Sequence, residues 1–85
     1  MKLSIDISYY PLKDEFIPEI KSFIERINTY PELLAETNGM STQIFGEYRY
    51  VMNALTTEIE KAFNVPHSVF IIKLVNADLQ VRNKE

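Results

Sequence analysis

The sequence predicts an α+β domain in which one four-stranded antiparallel sheet carries two helices on a single face. Three observations point there. Residues 2–10 alternate apolar and polar side chains, as a strand with one covered face does. Apolar residues recur at spacings of three and four over 16–28 and again from Tyr48 to Phe63, the pattern of two amphipathic helices. Between these helices stands Asn38-Gly39, the strongest short-range hairpin signal in the chain.

In the first strand Leu3, Ile5, Ile7 and Tyr9 share one face, with Ser4, Asp6, Ser8 and Tyr10 on the other. Pro11 stops it because proline cannot donate to a ladder, and residues 12–15 form a short connection in which Asp14 is a candidate helix cap. The first helix turns Phe16, Ile20, Phe23, Ile24 and Ile27 inward, and Thr29-Tyr30-Pro31 ends it. Pro18 suits the first turn, where its missing N–H sacrifices no bond, and Asp14 with Glu15 suits the positive end of the helix dipole. Residues 32–37 make a short second strand with Leu33, Leu34 and Ala35 as its apolar content.

A two-residue primed turn at Asn38-Gly39, with positive φ at both positions, then returns the chain into a third strand over 40–45. Met40, Thr42 and Ile44 fall on one side of it and Ser41, Gln43 and Phe45 on the other, so the Thr42 hydroxyl interrupts an apolar face. The chain has only two glycines, Gly39 and Gly46, so each marks a place where the backbone does what a side chain forbids. The second helix presents Tyr48, Val51, Met52, Leu55, Ile59, Ala62 and Phe63. After Asn64-Val65-Pro66, residues 68–76 run Val69, Phe70, Ile71, Ile72, Leu74 and Val75 with only Lys73 between, a strand that needs cover on both faces. Residues 77–85 are polar and read as a fraying tail, which leaves one domain over 1–85 with an ordered core of about 2–76.

Composition narrows the function classes. An apolar fraction of 46%, a charged fraction of 25% and a net charge of −3 are those of an ordinary globular domain, and no basic stripe is present to neutralise a nucleic acid backbone. With no cysteine, thiolate metal sites and disulfides are excluded. No segment approaches a membrane span or the apolar run of a secretory signal, so the expected setting is the cytoplasm without membrane insertion. No phosphate-binding glycine loop, nucleophile elbow or histidine pair is present, and a non-enzymatic protein without cofactor or metal is expected.

The order strand, helix, strand, strand, helix, strand matches the split βαβ, or ferredoxin-like, arrangement with right-handed crossovers and spatial strand order 4-1-3-2. In that topology the first strand ends, the hairpin turns and the fourth strand begins at one edge of the sheet. Tyr9, Asn38, Thr42 and the His67-Ser68 pair therefore cluster, with Tyr9 and Thr42 facing one cavity flanked by the start of the first helix and the end of the second. Such a cavity, apolar with a few convergent polar groups, suits a small molecule. Asp6 lies on the opposite face by strand parity and takes no part in it.

Ser8-Tyr9-Tyr10-Pro11-Leu12, Thr37-Asn38-Gly39-Met40-Ser41-Thr42, Phe45-Gly46-Glu47 and His67-Ser68-Val69-Phe70 together resemble the thiamine/hydroxymethylpyrimidine-binding YkoF family over residues 3–76. The resemblance implies a ferredoxin-like fold that binds thiamine or its pyrimidine moiety in uptake or salvage of the vitamin, with ligand contacts at Tyr9 and Thr42. Asn38, Ser41 and His67 complete the candidate ligand-binding set. An aminopyrimidine needs a donor and an acceptor at fixed spacing, and a thiazolium suits an aromatic face such as Tyr9, Tyr10 or Phe70. The family's namesake carries two modules in tandem and this chain one, which implies a homodimer. An apolar fourth strand at the sheet edge points the same way.

On the residues alone, plainer readings stand beside these. Thr42 is then a core threonine bonded to a carbonyl, Asn38-Gly39 a turn, Tyr9 a core ring with a wet hydroxyl, and His67 a capping or solvent-exposed residue. The alternative function is a regulatory or interaction module docking a protein through its sheet face or edge strand; a minor salvage enzyme ranks third. Acylphosphatases share the topology, but the loop after the first strand lacks their arginine. An RNA-recognition module would need aromatic and basic residues on the third strand that Ser41, Gln43 and Phe45 do not supply.

Overall fold

The computed structural model describes residues 1–80. Its elements are β1 (Lys2–Pro11), α1 (Ile17–Ile27), β2 (Leu34–Thr37), β3 (Thr42–Glu47), α2 (Tyr48–Ala62) and β4 (Ser68–Val75). The four strands form one sheet in the order β2-β3-β1-β4, antiparallel throughout, which is the expected 4-1-3-2 arrangement counted from the other edge. Both helices cover one face. Leu3, Ile5 and Ile7 of β1 and Ile44 of β3 meet Phe23 and Ile27 of α1 and Val51, Leu55 and Ala62 of α2 in a single buried core. Period-two burial in the strands and period-3.6 burial in the helices therefore converge on the same interior. Among the described residues no helix is long and apolar enough to cross a membrane.

The element ends depart from expectation in ways that matter for the site. Pro11 is the last residue of β1, paired with Ser68, and so ends the strand from within it. Phe16, not Asp14, occupies the N-cap of α1, with no side-chain cap bond. With Pro18 in the first turn there is one orphan N–H fewer to satisfy.

The hairpin is the larger correction. Neither Asn38 nor Gly39 has positive φ, and the connection has four residues, closing between Thr37 and Thr42. Asn38 uses its side chain instead: Oδ1 accepts the Met40 and Ser41 N–H groups at 2.8 and 3.1 Å, while the Asn38 N–H donates to the Ser41 carbonyl at 3.0 Å. A side-chain carbonyl can thus hold a loop that a primed turn would otherwise need φ > 0 to make. In consequence β3 starts at Thr42, and Met40 is 86% exposed at the loop tip instead of lying on the apolar face.

Of the glycines only Gly46 is needed for space. A Cβ there would stand 3.0 Å from Val51 Cγ2, 3.2 Å from Leu33 Cδ2 and 3.3 Å from the Glu32 carbonyl oxygen, whereas Gly39 has no atom within 4 Å of that position.

A polar clamp joins the helices beside the core. Glu58, on the buried stripe of α2, is 3% exposed. Its Oε1 accepts from Arg26 Nε at 2.6 Å and its Oε2 from the Tyr30 hydroxyl at 2.6 Å, with Lys61 Nζ 3.7 Å away. Burial alone would push this carboxyl up, but the bonds from Tyr30 and Arg26 and the charge of Lys61 outweigh it and hold it below the usual range. The same contact raises the Tyr30 hydroxyl.

Among the described residues β4 is covered on one face only. Phe70 and Ile72 pack toward the helices, while Val69, Ile71 and Val75 are 41, 59 and 39% exposed on the far side. At residues 77–80 the chain is not free as its polarity suggested. The Ser4 hydroxyl donates to the Ala77 carbonyl at 2.7 Å and accepts the Leu79 N–H at 2.9 Å, which leaves Ser4 buried. The rest of the expected tail, 81–85, lies outside the described residues.

Candidate functional site

A cavity of about 390 Å³ opens where β1 ends, the hairpin turns and α1 begins. That volume lies at the small end of the range typical of ligand pockets. Ile7 and Tyr9 of β1, Thr37 of β2 and Thr42 of β3 form its sheet wall. Phe16 and α1 residues Ile20, Phe23 and Ile24 form the opposite wall, and Leu12 with the loop 38–41 forms the rim. Register explains the convergence: Ile7 pairs with Thr42 and Thr42 with Thr37, so the three neighbouring strands put these side chains in one row on the helix-covered face.

Thr42 is 6% exposed, and its Oγ1 lies 2.9 Å from Thr37 Oγ1. It is bonded to a second hydroxyl and not to a backbone carbonyl. Two hydroxyls sharing one hydrogen bond leave one proton and several lone pairs uncommitted, so the pair presents a donor and an acceptor side by side. Thr37 was not foreseen as a site residue. The signal was available, since Thr37 and Thr42 bracket the hairpin symmetrically and a four-residue loop places them directly opposite.

Tyr9 also lines the cavity, and Phe70 backs it in a stacked pair with centroids 4.4 Å apart and 10° between planes. Phe23 meets the Tyr9 ring edge-on at 5.4 Å. Such packing fixes the ring at little further entropic cost. Phe70 does not line the cavity, and Phe63 packs edge-on against Phe70 at 5.7 Å. The niche is therefore unplugged, but α2 contributes nothing to its lining: the Tyr9–Phe70 stack and Phe63 stand between the end of α2 and the space where it was expected.

Asn38 and Ser41 line the cavity, yet their polar atoms serve the loop. Asn38 Oδ1 is occupied by the two backbone N–H groups, and Ser41 Oγ donates to Asp6 Oδ1 at 2.6 Å on the open face of the sheet. Gln43 Nε2 donates to the same Asp6 oxygen at 2.7 Å, and Lys73 Nζ lies 4.0 Å from its other oxygen. The Ser41 bond first, then the Gln43 bond and the Lys73 charge hold the Asp6 carboxyl below its ordinary value against the opposing effect of burial. Asp6 thus faces away from the cavity, as parity required, and anchors its rim from behind.

His67 is placed elsewhere. It is exposed and outside the lining, and its contribution is a carbonyl that accepts the Leu12 N–H at 2.9 Å. The neighbouring Ser68 hydroxyl donates to the Val65 carbonyl at 2.6 Å. Among the described residues none that lines the cavity carries a formal charge at neutral pH, and tyrosines 9 and 10 are its only ionisable side chains. Among the described residues no group of three His, Cys, Asp or Glu side chains is placed to hold a metal ion.

No protein-family profile and no curated protein sequence matches the chain. Solved structures do. A candidate thiamine biosynthesis/salvage protein of Thermotoga maritima superposes with a TM-score of 0.79 at 17% identity, over 94% of this chain and 85% of that one. A hypothetical protein of Methanocaldococcus jannaschii gives 0.75 at 26% identity over 99% and 84%. The domain of unknown function DUF77 of Bacillus cereus gives 0.74 at 15% identity over 93% and 79%. At 15 and 17% identity the likeness speaks to the fold.

Proposed function

We propose that this protein binds thiamine or its hydroxymethylpyrimidine moiety without transforming it, as a carrier or sensor in uptake or salvage of the vitamin. The observation that carries the reading is the Thr37–Thr42 hydroxyl pair at the sheet wall of an otherwise apolar cavity. An aminopyrimidine edge sets an exocyclic amine donor beside a ring-nitrogen acceptor, and the hydroxyl pair offers the complementary acceptor and donor. The ring of Tyr9, held by Phe70 and Phe23, supplies a flat surface for the heterocycle. Binding without turnover suits a lining whose only ionisable side chains, among the described residues, are tyrosines. Two likenesses support the ligand class: the YkoF-like motifs around Tyr9 and Thr42, and the fold shared with the Thermotoga protein.

A homodimer belongs to this proposal. The exposed column Val69, Ile71 and Val75 adjoins the outer edge of β4, which no strand among the described residues pairs, an arrangement that a second copy would cover. The same column is what favours the second reading, a module that docks another protein.

Calorimetric titration with thiamine, hydroxymethylpyrimidine and a panel of amino acids separates the readings. Saturation by the pyrimidine compounds and not by the amino acids is expected. Saturation by an amino acid alone would instead indicate a regulatory sensor.

A further inference from the structure

We infer that the site takes the unphosphorylated alcohol and rejects its phosphate esters; this rests on the ligand class proposed above and sharpens it. A phosphate ester carries about −1.5 to −2 charges at neutral pH. It is held in a protein only where cations or free N–H groups replace its water. Among the described residues its lining offers no cation, and the N–H groups beside it are depleted by Pro18 and by the bonds that close the 38–41 loop.

Among the described residues no lysine, arginine or histidine lines it. Lys13, which follows the lining residue Leu12, has its Nζ 3.0 Å from Glu19 Oε2. Arg26 is committed to Glu58 between the helices, and Lys73 stands on the open face beside Asp6. The positive end of α1, the usual refuge for an anion, is depleted: Pro18 has no N–H and the Ile20 N–H already donates to the Phe16 carbonyl at 3.2 Å, so it has only the Ile17 and Glu19 N–H groups to offer, beside the Glu19 carboxylate. The charges around the entrance have the wrong sign as well. Asp14 and Glu15 lie exposed in the turn between the lining residues Leu12 and Phe16, and Glu19 follows in the first turn of α1. Three carboxylates against the single ammonium of Lys13 repel a phosphate and tolerate a cationic ring.

The test is calorimetric titration of the full chain, at moderate and low salt, with four compounds: hydroxymethylpyrimidine, its monophosphate, thiamine and thiamine diphosphate. Each ester is expected to bind at least ten-fold more weakly than its alcohol, with a wider gap at low salt. The double substitution Asp14→Lys and Glu15→Lys is expected to narrow the gap three-fold or more. Equal or tighter binding of either ester, or a gap unchanged by the double substitution, overturns the inference and leaves the pyrimidine reading standing. Binding of none of the four overturns that reading and this inference with it.

Discussion

Replacing Glu58 tests how far the helix layer, of which α1 forms one wall of the cavity, depends on a buried charge. Its carboxylate is 3% exposed and accepts two bonds of 2.6 Å, from Arg26 and Tyr30. Removing one partner of a buried pair costs about 3–5 kcal/mol, chiefly because the other charge is stranded. Here the Arg26 side chain keeps 29% of its exposure and can regain water, which places Glu58→Ala near the lower end, at about 3 kcal/mol. At roughly 4–8 °C per kcal/mol for a domain of this size, that lowers Tm by roughly 12–24 °C. Glu58→Gln preserves volume and one acceptor and should cost about half as much.

The folded-state pKa of Glu58 is depressed. Its contribution is therefore present above the unfolded carboxylate pKa of about 4.3 and disappears as pH falls through the folded value, so wild type and Glu58→Gln should converge in acid. Urea unfolding followed by circular dichroism, at neutral pH and near pH 3, measures both effects. A loss below about 1 kcal/mol for Glu58→Ala, or a gap to Glu58→Gln that fails to shrink in acid, would refute the account of the clamp.

Four other expectations concern the site and its surroundings. Thr42→Val should leave the fold intact and weaken pyrimidine binding roughly 5- to 150-fold, the ~1–3 kcal/mol left when a polar group loses its partner; calorimetry reads it. Gly46→Ala should destabilise by about 1–3 kcal/mol through overpacking against Val51 and Leu33, while Gly39→Ala should be neutral or slightly stabilising in the same unfolding assay. Asp6→Ala should lower amide protection factors across residues 38–42 by releasing Ser41 and Gln43, and lowering pH through the depressed Asp6 pKa should do the same to wild type once the intrinsic pH dependence of exchange is divided out. Ile71→Glu should shift light scattering from dimer to monomer at micromolar concentration, and a monomeric wild type would remove the homodimer from the proposal.

Much of this architecture was readable because its signals are periodic. Alternation in Leu3, Ile5, Ile7 and Tyr9 and the helical spacing of Phe23 and Ile27 allow few other folds, and topology then carries Tyr9 and Thr42 to one cavity without any motif. What was not readable depended on side chains doing backbone work or on pairing across distance. Asn38-Gly39 carries the composition of a primed turn, yet Asn38 holds a longer loop through its own amide, and that changes where β3 begins. Glu58 looks like one more surface acid until Arg26 and Tyr30, 32 and 28 residues away, come to meet it. His67 was drawn toward the site by its neighbourhood in sequence, but the turn into β4 presents its carbonyl to Leu12 and leaves its imidazole exposed.

On the proposed reading, a flat heterocycle would lie between the Thr37–Thr42 pair and α1. Titrating the nitrogen-15 labelled protein with hydroxymethylpyrimidine and following amide shifts tests it most directly. The largest shifts are expected in residues 7–12, 16–24 and 37–42, and Thr42→Val should diminish them. Shifts concentrated along the groove of Met52, Ile59 and Phe63 or on the open face around Ile71, with residues 37–42 silent, would contradict it.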